Sequence, residues 1–226
     1  MGLTKEEAQE WAGLHPPEAV RWESTTAHRI LGVLLFVAAI VALLASFGVI
    51  EVGTSLSIWP GLAILAGALL TLGVFFFHHG IAHLALAAKV NVYDPEQRTH
   101  VAWALLTAAV GVAEILRAAS IIPDVAGAAV LPVVLVLLGL LFVFHSAHGT
   151  PEAIQILNRY HRILGTAFVV TGGLKGAQLA FPAFPDYPWA AGLFVVGLLL
   201  VTYREPKGAH EWTHWDPSHG GSHHGR

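Results

Sequence analysis

Long apolar runs alternate with short polar connections along most of this chain. Six of them, at 28–50, 58–79, 100–121, 126–145, 161–181 and 187–203, measure roughly 18 to 25 residues, the length a helix needs to cross a bilayer. At a rise of ~1.5 Å per residue such a helix covers most or all of a ~30 Å hydrocarbon layer. The pattern therefore predicts an all-α integral membrane protein of six transmembrane helices, a bundle over residues 25–205 that uses the lipid bilayer as its solvent. Residues 1–24 precede it and residues 207–226 form a polar, Gly- and His-rich tail. The first run is too long for a signal-peptide core and is followed by five similar runs, so it reads as a retained span.

The polar connections repeat. Pro-Glu stands at 17–18, 95–96 and 151–152, and each is followed by a histidine that opens a span (His28, His100, His161), an acidic connection (Glu51, Asp124, Asp186) and a returning span. Three helical hairpins, 17–94, 95–150 and 151–206, account for this spacing. The match is closest between His28-Arg-Ile-Leu-Gly32 and His161-Arg-Ile-Leu-Gly165, and between Phe75-Phe-Phe-His78 and Phe142-Val-Phe-His145. Asp94 and Thr150 have the form of helix N-caps followed by Pro, which starts the third and fifth helices before the membrane. Thr4 to Glu7 has the form of a capping box opening a short surface helix that ends before Gly13.

Composition agrees with the hydropathy: 55% of residues are hydrophobic and 12% charged, with a mean hydropathy of +0.63. A soluble chain of this size could not bury so much apolar surface. Charge then orients the bundle. Lys5, Arg21, Arg29, Lys89, Arg98, Arg159, Arg162, Arg204, Lys207 and Arg226 all lie in the termini or in the connections after the second and fourth spans. The positive-inside rule makes that face, and both termini, cytoplasmic, in a multi-pass protein of the bacterial or archaeal inner-membrane type. A net charge of −3 and so apolar a chain exclude nucleic-acid binding.

All fourteen histidines fall at or beyond that same face. His79 and His83, four apart, and His145 and His148, three apart, are spaced to share a helix face and bind one ion. His28, His100 and His161 open spans at matching depth, and His210, His214, His219, His223 and His224 crowd the tail. With no cysteine and only the initiator Met1, an iron–sulfur cluster, a zinc thiolate or a Cu(I) relay is excluded, whereas imidazole suits iron, zinc or Cu(II).

The favoured cofactor is a b-type haem in electron transfer. Histidines on facing helices, drawn from His28, His79, His100, His145 and His161, supply axial ligands, and Arg29 and Arg162, each directly after a ligand candidate, neutralise propionates. The twice-used His-Arg-Ile-Leu-Gly resembles ligand segments of membrane haem proteins such as the haem A synthases and cytochromes of the b561 type. The likeness covers five residues at each place and departs from the b561 type, which brings haems to both membrane faces, because this chain has no histidine on the outer face; at most one face would hold haem. An alternative is a non-haem iron, zinc or copper membrane enzyme whose metal ligands come from His79, His83, His145, His148, His210 and His214. The number and sidedness of these are similar to membrane di-iron hydroxylases and desaturases, although the HxxHH boxes of those families are missing. A third reading is a non-catalytic subunit or anchor of a larger membrane complex, serving a redox partner.

Only four strongly polar residues stand deep in the spans. Glu114 lies fourteen residues after His100 and Lys175 fourteen after His161, so the repeat predicts that they pair across adjacent helices, with Arg117 completing an intramembrane ion network. Gln178 is the fourth. Trp59, Trp103 and Trp189 are expected at the interfaces as anchors.

Overall fold

The computed structural model describes residues 4–14, 16–51, 54–77, 80–93, 95–145, 147, 149–181 and 183–209. It is all-helical: α1 Lys5–Leu14, α2 Pro17–Ser46, α3 Thr54–Phe77, a 3-10 turn Ile81–His83, α4 Leu84–Tyr93, α5 Pro95–Ala118, α6 Asp124–Phe144, α7 Pro151–Ala180 and α8 Tyr187–Thr202. Among the described residues five helices, α2, α3, α5, α6 and α7, are long and apolar enough to cross a membrane. The sixth predicted span corresponds to α8, an apolar helix of 16 residues.

The helix starts follow from local chemistry. The Thr150 hydroxyl accepts the Ala153 amide at 3.3 Å, with Pro151 in the first turn of α7. The capping box is formed in both directions, Thr4 N–H donating to Glu7 Oε2 at 2.8 Å and Glu7 N–H to Thr4 Oγ1 at 3.2 Å. The helix it opens runs one residue past Gly13. Asp94 lies outside the described residues.

The long helices close a ring in the cyclic order α2, α3, α5, α6, α7, α8 and back to α2. The most extensive contacts, α6 on α7, α2 on α8 and α3 on α5, join one predicted hairpin to the next, not the two arms of a hairpin. Glycine explains why. A Cβ on Gly165 would stand 2.6 Å from the Gly139 carbonyl oxygen, one on Gly111 2.8 Å from that of Gly61, and one on Gly197 2.6 Å from the Phe36 amide. Backbones this close exclude side chains and exchange dispersion over their full length, which is how helices associate in lipid.

Inside the ring, Trp103, Phe142, Phe168, Leu135, Leu164 and Leu200 form the buried core. Val33, Val37, Leu69, Leu70, Val170 and Val195 face outward and are exposed, a surface that suits hydrocarbon and not water. Trp103 is 6% exposed and stacked on Phe142 at 3.8 Å, so it is a core residue and not the interface anchor its position suggested. The Trp59 side chain is outside the description.

At the end of the ring that carries the histidines, α1 docks on α4. Trp11 packs on Ala87 and Val90, and Lys89 Nζ donates to both Glu7 carboxylate oxygens, at 2.7 and 2.6 Å.

Candidate metal centre

Four imidazoles from four elements meet at that end of the ring. His28 is the twelfth residue of α2, His100 the sixth of α5 and His161 the eleventh of α7; they are 6%, 8% and 4% exposed. His145 follows the last residue of α6, and its extended backbone (φ −67°, ψ 127°) turns it out of the helical path. The His145 ring centroid is 5.1 Å from that of His161 and 5.7 Å from that of His100. The stacked Trp103 and Phe142 rings stand beside them, Phe142 5.5 Å from His161 and Trp103 5.1 Å from His100.

Hydrogen bonding orients part of this set. His28 Nδ1 is 2.7 Å from the Ser24 carbonyl oxygen; a carbonyl only accepts, so Nδ1 carries the proton and Nε2 keeps its lone pair in the neutral ring. Metal-binding histidines use this arrangement, in which a backbone carbonyl fixes the tautomer and the ring orientation. Tyr203 lies against His28 with ring centroids 4.2 Å apart. His161 differs: both its ring nitrogens are buried and neither has a hydrogen-bond partner among the described residues. Each such buried polar atom costs about 1–3 kcal/mol relative to a satisfied one, and native structures keep few of them.

A carboxylate joins the cluster from the far end of the chain. After α8 the backbone folds back over the ring, where Thr150 N–H donates to the Gly208 carbonyl at 2.9 Å and Gly149 bridges to Ala209. Gly149 (φ +135°) and Gly208 (φ +81°) hold left-handed conformations that glycine adopts without strain. This return buries Glu205, 6% exposed. The Ser24 hydroxyl donates to Glu205 Oε2, the Tyr203 hydroxyl donates to the same oxygen at 2.5 Å, and the Glu205 amide reaches Thr25 Oγ1 at 3.3 Å.

His28, His100, His145, His161, Ser24, Tyr203 and Glu205 line a cavity of ≈10 Å³, about the space one water or bare ion fills. A second, apolar cavity of ≈30 Å³ lies between Ala27, Ala68, Phe75, Ala104 and the same two histidines, His28 and His100. Among the described residues no three His, Asp or Glu side chains already surround one point at coordination distance. The donors are gathered but not closed.

Of the other expected ligands, His83 stands apart from this group, beyond the end of α3 at Phe77 and the left-handed Gly80 (φ +81°). His83 instead sits 3.3 Å from Glu10 of α1. Helix α6 stops at Phe144, one residue before His145. His79, His148, His210 and His214 lie outside the described residues. Arg29 and Arg162 are exposed and line neither cavity.

The intramembrane network also differs from expectation. Arg117 Nη2 is 2.7 Å from Glu114 Oε2 on its own helix, while Lys175 donates to Gln178 at 2.8 Å and stands 4.2 Å over the Trp189 ring. Helices α5 and α7 are not neighbours, since α6 lies between them, so Glu114 and Lys175 face a common cavity without touching.

No protein-family profile, curated protein or solved structure matches the chain. Function must be argued from the site.

Proposed function

We propose that this chain is a multi-pass membrane metalloprotein that holds iron at the imidazole cluster and serves electron transfer at the cytoplasmic face. The observation that carries the reading is His161: a buried imidazole with two unpartnered nitrogens, placed 5.1 Å from His145 and beside His28 and His100. A metal bond removes that cost and explains why four imidazoles converge where leucine would pack more cheaply.

The donor set fits iron. Imidazoles with one carboxylate and no thiolate suit iron, zinc or Cu(II). Glu205 places a buried negative charge beside the cluster, which would offset the charge of a bound cation, and Ser24 and Tyr203 hold that carboxylate in position. The Ser24 carbonyl keeps the His28 lone pair on Nε2.

Two forms of the iron draw on different observations. The non-haem form is favoured by the ≈10 Å³ cavity among the imidazoles and Glu205, sized for a bare ion. The b-type haem form is favoured by the two His-Arg-Ile-Leu-Gly segments, whose histidines are both buried beside the flat Trp103–Phe142 stack; a porphyrin would need that stack to part. Haem, when bound, supplies a one-electron couple, and the protein's part is to ligate, exclude water and set the surrounding charge.

In this reading α8 is the sixth span, shortened but completing the ring, and the three hairpins place both termini in the cytoplasm. The bilayer is the protein's environment, and a redox partner meets the histidine end.

The test is an absorption spectrum of the purified protein, air-oxidised and then dithionite-reduced, with metal analysis of the same sample and of His161→Ala. A Soret band that shifts on reduction identifies haem, and stoichiometric iron without it identifies the non-haem form. Metal content that is nil, or that His161→Ala leaves unchanged, would falsify the proposal.

A further inference from the structure

A third, larger cavity of ≈510 Å³ occupies the other half of the ring, within the size range of small-molecule sites. All six ring helices line it. Its inner part is aliphatic, formed by residues such as Leu35, Ile64, Leu135 and Leu193, and its outer part carries Glu114, Arg117, Lys175, Gln178, Asp186 and Trp189. From Thr107 to Arg117 the wall spans ten residues of α5, about 15 Å of helix rise.

The polar end indicates what kind of occupant suits it. Glu114 is satisfied by Arg117 at 2.7 Å. Lys175 has no carboxylate within 4.0 Å among the described residues; its ammonium donates one hydrogen bond, to Gln178 Oε1, and both side chains line the cavity. The Trp189 indole N–H is buried without a partner. A lysine and an amide side chain therefore stand at the polar end of an apolar slot, and an ionisable side chain at membrane depth is by default a candidate functional site.

We propose that this cavity binds a single-chain amphiphile whose head presents hydrogen-bond-accepting oxygens to Lys175 and Gln178 and whose apolar tail lies toward Thr107. A fatty carboxylate and an isoprenoid quinone share this chemistry. The site is independent of the metal centre: it uses none of its residues and stands whether or not iron binds.

The experiment titrates the full chain in nanodiscs with 9,10-dibromostearate and, separately, decylubiquinone, reading quenching of tryptophan fluorescence. Saturable quenching by either probe is expected. Lys175→Gln should weaken it about tenfold, the value of one charge-assisted hydrogen bond, and Ala38→Phe, which fills the slot while leaving every donor in place, should abolish it. Saturation with the brominated acid alone identifies a fatty carboxylate, and with decylubiquinone alone a quinone. Quenching that never saturates, or that saturates equally in both variants with unchanged thermal midpoints, overturns the proposal.

Discussion

At the scale of single residues, His161 sets function against stability. Its two buried nitrogens have no hydrogen-bond partner among the described residues, so an apolar side chain of similar size should relieve that cost on folding while destroying the site. His161→Leu is expected to raise the thermal midpoint of the metal-free protein, by the equivalent of about 1–3 kcal/mol, and to eliminate bound metal. Differential scanning fluorimetry and metal analysis on one preparation check both halves, and a lowered midpoint would mean that the imidazole is held by contacts other than metal. The histidines were legible in the sequence because their one-sided distribution survives any error in span boundaries. Glu205 was not: it is separated from Ser24 by 181 residues and enters the cluster only because the chain doubles back after α8. The signal available was an acidic residue just past the end of an apolar run, in Tyr203-Arg204-Glu205-Pro206. Trp103 was misplaced for a related reason. Position along a span gives depth, but not whether a side chain turns inward to the core or outward to lipid.

At the scale of helices, the cap signals at Asp94 and Thr150 anticipate the starts of α5 at Pro95 and α7 at Pro151, whereas α2 begins at Pro17, eleven residues before the apolar run that hydropathy marks. What hydropathy cannot supply is which helices touch, because lipid is as apolar as the helix surfaces and packing is decided by small residues. The three most extensive interfaces run between hairpins, each through a glycine against backbone, as at Gly165 and Gly139. Gly165→Ala would place a methyl group 2.6 Å from the Gly139 carbonyl oxygen, forcing α6 and α7 apart; a loss of about 1–3 kcal/mol is expected. Gly173→Ala, on the same helix with nothing within 4 Å of the added atom, is the control and should leave the thermal midpoint near that of the parent.

The docking of α1 on α4 is a separate and weaker contact, and it should respond to acid. Lys89, bonded to both carboxylate oxygens, and the Thr4 amide hold the Glu7 carboxyl below its ordinary value of 4.5. A depressed carboxyl pKa contributes stability that is present above the unfolded value and is lost as pH falls through the lower folded one. Hydrogen-exchange protection of α1, corrected for intrinsic exchange, should hold from neutral pH to about pH 5 and decline below it. Glu7→Gln should abolish that pH dependence and leave α1 weakly protected throughout.

At the scale of the whole molecule, the number of crossings turns on α8. Five helices meet the length and hydropathy needed to span, whereas α8, at 16 residues, covers about 24 Å at 1.5 Å per residue. Local bilayer thinning accommodates such a shortfall at a fraction of a kcal/mol per Å. Packing argues that it crosses: α8 lies against α2 through Gly197 and Gly32 and against α7 on its other side, closing a ring that five helices leave open. Six crossings return the chain to the face where it began; five leave residues 203–209 on the opposite face, away from the histidines. Yet Glu205 is bonded to Ser24, which lies one helical turn before His28. The chain has no cysteine, so single introduced thiols report sidedness without background. With a membrane-impermeant maleimide on intact cells, Glu51→Cys should label, while Glu10→Cys and Lys207→Cys should label only after permeabilisation. Labelling of Lys207→Cys from the same side as Glu51→Cys would reduce the protein to five crossings, and the carboxylate that completes the imidazole cluster would then lie across the membrane from it.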